Sequence, residues 1–145
     1  STFSPEEPCT RGQAVTFLWR AAGSPEPKSA AMPFDDVTEG SYYYDAVRWA
    51  VEEGITKGTS ATEFSPNVVC SRGQIVTFLW RSQKMPPTGT ENPFTDVSAD
   101  AYYCNAVLWA VQQKVTNGTD ATTFSPEMNC TRAQIVTFLW RALGE

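Results

Sequence analysis

Three arginines in this chain share one local motif and have the chemistry to bind an anion. Each stands directly after a serine or threonine and two residues before a glutamine, as in CTRGQAVTFLWRAAG, which starts at Cys9. This spacing is typical of a capping box, so each arginine is predicted at the first position of a helix. There the guanidinium and the free backbone N–H groups of the helix start can both address a carboxylate. The three are Arg11, Arg72 and Arg132.

The helix itself gains nothing from a cation at this end. The helix dipole already places partial positive charge there, so an exposed cation costs up to about 1 kcal/mol. Three such placements in one chain indicate a requirement, and two explanations stay open. The arginines bind an anionic ligand, or they tie neighbouring segments together by pairing with Asp36, Asp96 or Glu6, and the two roles can coexist.

The overall charge limits the class of partner. A net charge of -5 and a pI near 4.7 argue against nucleic acid and against an anionic membrane surface, since neither favours an acidic protein. No apolar run approaches the roughly 20 residues that span a bilayer, so membrane insertion is not expected. The chain begins at Ser1 without a methionine or a signal-like segment, which favours a processed or excised piece of a longer protein.

Enzyme activity is the weakest hypothesis. The chain has no histidine, which removes Ser-His-Asp and Cys-His catalysis together with the commonest zinc ligand. Its carboxylates form no repeated close pair of the kind that glycoside hydrolysis needs. We therefore expect no catalytic residue, no metal and no cofactor.

The four cysteines fall into two groups. Cys9, Cys70 and Cys130 occupy one repeated position before the predicted helix caps, where a small buried apolar side chain is expected, and no CxxC motif is present. Cys104 stands where the other complete repeat has Tyr44. In an exported protein Cys104 can pair with one of the other three cysteines, and the sequence does not decide which.

An internal repeat organises the whole chain. Residues 33–81 realign with residues 93–141, whereas residues 2–20 match only the second half of that unit. The sequence therefore predicts a half repeat in residues 1–23 and complete repeats in residues 33–83 and 93–145, which together form one structural domain. Proline-rich and glycine-rich connections separate the units.

Each complete repeat carries two helical patterns joined by a turn-rich loop. The loop glycines Gly58 and Gly118 are expected to adopt a positive φ, and Phe64 and Phe124 to fill the core. A unit of this size cannot bury its own apolar face, so the three second helices are expected to pack into a central bundle with pseudo-threefold symmetry. The residues predicted on their inner stripes are Val15, Leu18, Ala22, Val76, Leu79, Val136, Leu139 and Leu143.

These motifs together resemble the S-layer homology domain family. Repeats of that family look like F-x-D-V, a short helix, G-I-x-x-G, F-x-P and a T-R-A-E box that opens a second helix. The resemblance covers nearly the whole chain. The first complete repeat supplies Phe34, Asp36, Val37, Gly54, Ile55, Gly58, Phe64, Pro66, Ser71, Arg72, Gly73 and Gln74; the second supplies Phe94, Asp96, Val97, Val115, Gly118, Phe124, Pro126, Thr131, Arg132, Ala133 and Gln134; the half repeat supplies Phe3, Pro5, Thr10, Arg11, Gly12 and Gln13.

The resemblance implies a mainly α fold, a three-lobed spindle of helix–loop–helix repeats around a three-helix bundle, here with an incomplete first lobe. It also implies an extracellular module that anchors proteins to a secondary cell-wall polysaccharide of Gram-positive bacteria, often through a pyruvylated sugar. By the same resemblance, the box arginines are expected to help bind that sugar in grooves between lobes. The candidate ligand-binding residues are Arg11, Arg72, Arg132, Gly58, Gly118, Tyr42, Tyr102, Asp36 and Asp96.

Several of these assignments have a structural alternative. Tyr42 and Tyr102 stand where the family usually has tryptophan, and they form either a groove wall or a helix contact. Asp36 and Asp96 either cap their own turns or contact ligand. Glutamine replaces the glutamate of every box, which keeps the capping geometry and removes a negative charge.

Two functions therefore stay open. Intact arginines and loop glycines favour a polysaccharide-binding anchor. The glutamine boxes and the incomplete lobe favour a protein-interaction or assembly module that no longer binds glycan, with self-association through the missing lobe as one form.

Overall fold

The fold is described from a computed structural model, which covers residues 6–143. These residues form five helices, so the predicted mainly α class is confirmed. Phe3 and Pro5, which carry part of the resemblance, lie outside the described residues. The helices are α1 (Arg11–Ala21), α2 (Tyr44–Glu52), α3 (Arg72–Ser82), α4 (Cys104–Gln112) and α5 (Arg132–Leu143).

The second helices of the repeats lie at the centre. α1, α3 and α5 contact one another pairwise, whereas α2 packs on α1 and α4 packs on α3. Each outer helix thus covers the central helix of the preceding repeat and not that of its own. Among the described elements, no outer helix of this kind covers α5.

All three central helices begin with the predicted capping box. The Gln13 backbone N–H donates to Thr10 Oγ1 at 3.1 Å, and the Thr10 backbone N–H donates to Gln13 Oε1 at 2.9 Å. The boxes at Ser71 and Thr131 repeat both bonds. Two otherwise orphaned donors are satisfied at each helix start, and glutamine serves here as glutamate would.

A ring of backbone hydrogen bonds joins the three segments that precede these caps. Cys9 N–H donates to the carbonyl of Cys130 at 2.8 Å, Cys130 N–H to that of Cys70 at 2.9 Å, and Cys70 N–H to that of Cys9 at 2.7 Å. All three side chains are fully buried, as predicted. Burial is the largest cause that raises the pKa of the Cys9 thiol to about 12 and that of the Cys130 thiol to about 11.

All four cysteines are free in the structure, so it contains no disulfide for Cys104. Cys104 begins α4 on the outside of α3, where it lines a cavity with Trp80 and Leu108. The other three cysteines are held together by the backbone ring, of which Cys104 is not a member. The outer-helix position of Cys104 explains why it has no thiol partner.

An aspartate in each complete repeat holds the turn that carries the core phenylalanine. Asp36 accepts hydrogen bonds from the backbone N–H groups of Phe64 at 2.9 Å and Ser65 at 2.8 Å. Ser65 has a φ of 61°, a left-handed conformation that is unfavourable for a residue with a side chain. The two bonds to a carboxylate offset this cost and keep Phe64 in the core, where it is fully buried. Asp96 makes the same pair of bonds in the next repeat.

Two residues of the predicted inner stripes are on the surface instead. Val136 of α5 is 42% exposed, although its equivalents Val15 and Val76 are fully buried. The helical stripe predicts that Val136 is buried inside the bundle. In the structure this position faces outward, on the side of the helix that α2 covers on α1 and α4 covers on α3. Ala22 is also exposed because it follows the last residue of α1.

Replacing Asp36 by alanine should destabilise the fold by ~2 kcal/mol, since two partly buried N–H donors lose a charged acceptor. The measurement is urea unfolding followed by circular dichroism. Asp35→Ala is the matched control, because Asp35 is an exposed neighbour. Equal destabilisation by the two variants would contradict the assigned role of Asp36.

Because of the buried thiols, the stability of the fold varies with pH in the alkaline range. The folded-state pKa values of Cys9 and Cys130 lie above the ordinary value of 9.0, so the folded state retains protons that the unfolded chain releases. Their contribution is fully present below pH 9 and is lost as the pH rises toward 11 to 12. The free energy of urea unfolding should therefore fall steadily above pH 9. A constant or rising value would show that the thiols do not control stability in this range.

Candidate functional site

The guanidinium of Arg11 is inserted between the half repeat and the first complete repeat. Its Nε donates to the carbonyl of Phe64 at 2.9 Å, and its Cζ lies 4.7 Å from the ring centroid of Phe64 and 5.5 Å from that of Phe78. The residue is only 4% exposed. Within the described residues the Nε bond is its one side-chain hydrogen bond, so both terminal amino groups remain available to a ligand.

The helix start itself does not supply the anion site that the sequence suggested. The N–H groups of Arg11 and Gly12 donate to the carbonyls of Val68 and Pro66 at 2.8 and 2.9 Å, and the third N–H belongs to the capping box. Neighbouring loops therefore use the donors that were expected to be free. The equivalent N–H groups of α3, on Arg72 and Gly73, donate in the same way to Met128 and Pro126.

If the arginines tie segments together, the sequence predicts that they pair with Asp36, Asp96 or Glu6. The structure shows other partners. Asp36 and Asp96 are used by their own turns, and neither lies within ion-pair distance of Arg11 or Arg72. Carbonyl oxygens and phenyl rings hold those two arginines instead. Arg132 does pair with a carboxylate, 3.7 Å from its Nη2, but the partner is Glu7 and not the expected Glu6.

A cleft of about 360 Å³ opens beside Arg11 and is lined by residues from all three repeats. Three of its lining residues are cations, Arg11, Lys57 and Arg81, and none is a carboxylate, although the whole chain carries a net charge of -5. The cleft is therefore a local positive site on an acidic protein. Its lining consists of Arg11, Thr56, Lys57, Gly58, Thr59, Gln74, Thr77, Phe78, Arg81 and Tyr102.

Three of the residues predicted from the sequence meet in this cleft. Arg11 comes from the half repeat, Gly58 from the loop of the first complete repeat and Tyr102 from the second complete repeat. Tyr102 is 57% exposed, so its ring is accessible as a wall. Asp36 and Asp96 are not among the lining residues, in agreement with their bonds to the turns.

Sequence reasoning missed the contribution of α3. Gln74, Thr77, Phe78 and Arg81 follow one another at helical spacing and form a continuous stripe along the cleft. Arg81 also donates from Nη1 to the carbonyl of Ile55 at 3.1 Å, which fixes it to the base of the loop. The i, i+3, i+4, i+7 spacing of these polar and aromatic residues was the available signal.

Burial affects the ionisable groups of the cleft in a consistent way. It is the largest cause that lowers the pKa of Arg11 and of Arg81 below the ordinary value of 12.5. It also raises the pKa of the Tyr102 hydroxyl. Both arginines are thus partly desolvated cations, which interact more strongly with an anion than exposed ones do.

The site around Arg72 repeats only part of this arrangement. Arg72 Nε donates to the carbonyl of Phe124 at 3.0 Å, and its Nη2 lies 3.4 Å from Thr116 Oγ1 in the loop that contains Gly118. The tyrosine wall is missing there within the described residues, because Tyr102 lies at the Arg11 cleft and Tyr42 lies near Arg132.

The site around Arg132 lacks a different part. Burial raises the pKa of the Tyr42 hydroxyl and the charge of Arg132 opposes this shift, so a tyrosine is present near Arg132. The two glycine-containing loops, those of Gly58 and Gly118, lie at the other two sites. Glu7 also partly neutralises Arg132. The Arg11 cleft is therefore the most complete of the three sites.

These features identify the class of protein. The chain belongs to the S-layer homology domain family, whose model matches residues 33–76 and 93–136. Members of this family bind cell-wall polymers, and the chain is accordingly a cell-wall anchoring module located at the bacterial cell surface.

Relatives include proteins of the bacterial surface. The chain is 30% identical to the surface-layer 125 kDa protein of Lysinibacillus sphaericus over 97% of its own length, and 31% identical to an endoglucanase of Bacillus sp. (strain KSM-635) over 84%. It spans 12% and 13% of those two proteins. A cell surface protein of Thermoanaerobacter kivui is 44% identical over 36% of this chain and 7% of its own length.

Within residues 6–143, no helix is long and apolar enough to cross a bilayer. The same residues contain no group of three or more histidine, cysteine, aspartate or glutamate side chains placed to hold a metal ion.

Gly58 allows the cleft loop to lie against the core. It has a φ of 84°, and a Cβ at this position would collide with the Phe34 ring and with the Glu63 carbonyl. Gly58→Ala should therefore destabilise the protein by more than ~1 kcal/mol in urea unfolding.

Gly23→Ala is the matched control, because Gly23 has a φ of 93° and no atom within 4 Å of the added methyl. The backbone strain is common to the two variants, so the difference between them measures the crowding at Gly58. Equal effects would show that crowding does not hold this loop.

Proposed function

We propose that this chain is a non-catalytic anchoring module that binds an anionic secondary cell-wall polysaccharide through the Arg11 cleft. The observation that supports the proposal most is the composition of that cleft, which has three cations and no carboxylate in an acidic protein. An acidic sugar substituent, such as a pyruvyl group, has the charge and size that such a cleft selects.

Each part of the cleft has a distinct task in this proposal. The terminal amino groups of Arg11 bind the carboxylate of the sugar, with Lys57 and Arg81 adding positive charge around it. The exposed ring of Tyr102 packs on the apolar face of the sugar. Gly58 lets the loop backbone approach the ligand closely.

Glutamine in the capping box strengthens the positive character of the site. Gln74 lines the cleft and still caps α3, but it places no carboxylate beside Arg11. The family glutamate at this position would reduce the net positive charge available to an anion. We infer that the chain retains the capping geometry and gains affinity for acidic groups.

The three segments act in this proposal as one domain, a three-lobed spindle whose first lobe is incomplete. The single buried cluster shared by all units supports this arrangement. Arg72 with Gly118 and Arg132 with Tyr42 form two further, partial grooves with weaker affinity. Asp36 and Asp96 hold the turns and are not assigned to the ligand.

A second candidate function is assembly through the incomplete lobe. It is favoured by the exposure of Val136 and Trp140 on α5, at 42% and 64%. Self-association of the chain through this face is one form of that function. It does not compete with glycan binding, because both residues lie outside the Arg11 cleft.

Co-sedimentation with Gram-positive cell-wall sacculi, before and after acid removal of the secondary polysaccharide, tests the anchoring proposal. Binding should be lost on acid treatment, and Arg11→Ala should weaken it by at least ~10-fold, since a charge-assisted bond contributes about 1.5–3 kcal/mol. Arg20→Ala is the matched control, because Arg20 is exposed in the last turn of the same helix.

Arg11 also supports the packing around Phe64, so two exposed cleft residues provide an independent readout. Lys57→Ala and Tyr102→Ala should each weaken binding with the unfolding free energy nearly unchanged, because both side chains lie on the surface. Undiminished binding by all three variants, or binding that survives acid stripping, would refute the proposed site.

A further inference from the structure

The loop that contains Gly118 carries a reactive pair of residues, because Asn117 directly precedes that glycine. The backbone nitrogen of the residue after an asparagine can attack the side-chain Cγ of the asparagine and close a succinimide ring. Glycine in the following position has no side chain to obstruct this attack. The chain has five asparagines, and Asn117 is the one that a glycine follows.

Two of the other asparagines are excluded by their backbone. Asn92 precedes a proline, whose ring nitrogen carries no hydrogen and cannot become the nucleophile. Asn105 lies inside α4, where regular helical dihedral angles prevent the backbone rotation that ring closure needs. Neither residue can form the ring while the chain is folded.

The remaining two are protected by hydrogen bonds of the nitrogen that follows them. After Asn67, the N–H of Val68 donates at 3.2 Å to a carbonyl three residues earlier, and the valine side chain is β-branched. After Asn129, the N–H of Cys130 belongs to the ring of backbone hydrogen bonds and donates at 2.9 Å. Both nitrogens are thus held away from the asparagine side chain.

At Asn117 the corresponding nitrogen is held weakly. The Gly118 N–H lies 3.4 Å from Thr116 Oγ1, whereas the Gly58 N–H donates to Thr56 Oγ1 at 3.0 Å in the first complete repeat. The Thr56 N–H also donates to a carbonyl of α2 at 3.3 Å, and within the described residues Thr116 has no equivalent bond. Asn117 is exposed to water. The loop therefore has the freedom and the solvent access that ring closure and hydrolysis need.

We propose that Asn117 is a site of spontaneous deamidation. The nitrogen of Gly118 loses its proton to water and forms a bond with Cγ of Asn117, and the bond from Cγ to the side-chain nitrogen breaks as ammonia leaves. Water then adds to one of the two carbonyls of the succinimide and breaks the bond from that carbon to the ring nitrogen. The product is aspartate or isoaspartate, and water is the one co-reactant.

The product changes the charge at the Arg72 site. Asn117 stands where the first complete repeat has Lys57, a cation of the Arg11 cleft. It directly follows Thr116, whose Oγ1 lies 3.4 Å from Arg72 Nη2. Deamidation places a carboxylate next to this contact, where it repels an anion. This consequence for binding rests on the proposed function, whereas the reaction itself does not.

The test incubates the whole folded chain in mildly alkaline buffer and follows each asparagine by peptide mass spectrometry. Asn117 should be lost first, with the mass gain of an amide converted to a carboxyl, while the other four stay intact over the same period. A more acidic species should appear in parallel on anion-exchange chromatography. Asn117→Lys is the matched control, because lysine stands at this position in the first complete repeat, and it should abolish the early acidic species.

The same incubation in guanidinium chloride separates the effect of the fold from that of the dipeptide. Asn67 and Asn129 should react faster in the unfolded chain, because the nitrogens that follow them lose their hydrogen bonds, whereas the rate at Asn117 should change little.

Two results would overturn the proposal. The first is an Asn117 that stays intact in the folded chain and reacts only after unfolding, which would show that the loop blocks ring closure. The second is loss of Asn105 or Asn129 as early as Asn117 in the folded chain. None of these measurements involves polysaccharide, so their failure is distinct from a failure of the anchoring proposal.

Discussion

The ring of three hydrogen bonds among Cys9, Cys70 and Cys130 is the constraint on which the rest of this structure depends. Each residue donates to one neighbour and accepts from the other, so no segment can leave without breaking two buried bonds. The ring fixes where the three helix caps lie relative to one another. It requires a small side chain that can be fully buried, and cysteine meets that requirement; the thiols of Cys9 and Cys70 donate weak hydrogen bonds to the carbonyls of Thr10 and Ser71 at 3.6 and 3.7 Å.

The position of the caps then decides the environment of the arginines. The ring brings each helix start under the loop of a neighbouring repeat, whose carbonyls take the first N–H groups of α1 and α3. The helix dipole still disfavours the arginine, but the bond from Arg11 Nε to Phe64 and the contacts with two phenyl rings offset that cost. The same contacts leave the terminal amino groups at the cleft, so the structural role of Arg11 does not compete with the binding role proposed for it.

Near-identical sequences have different surroundings because the symmetry is incomplete. TFLWR occurs in α1, α3 and α5, yet its tryptophan is half-buried in two helices and 64% exposed in the third. The arginine sites differ as well, since all three units line the Arg11 cleft, whereas the contacts of Arg72 come from the last repeat alone within the described residues.

The sequence alone determined the local elements and the family. The capping boxes and the positive φ of Gly58 and Gly118 depend on residues close in the chain, so they were predictable. The burial of Phe64 and Phe124 was predicted from their apolar type, although Asp36 and Asp96, each 28 residues away, hold these turns. The equivalence of the three units was also evident from the sequence. Arg11, Gly58 and Tyr102 are all candidates on the sequence, but nothing local indicates that they share one cleft.

Only the tertiary structure decided which residues meet. The pairing of each outer helix with the preceding central helix is a contact between repeats, so sequence periodicity could not reveal that Val136 would face outward. The occupation of the helix-start N–H groups and the recruitment of Arg81 likewise depend on loops that are distant in sequence. Periodicity reports that a face is apolar, and only long-range packing determines what covers it.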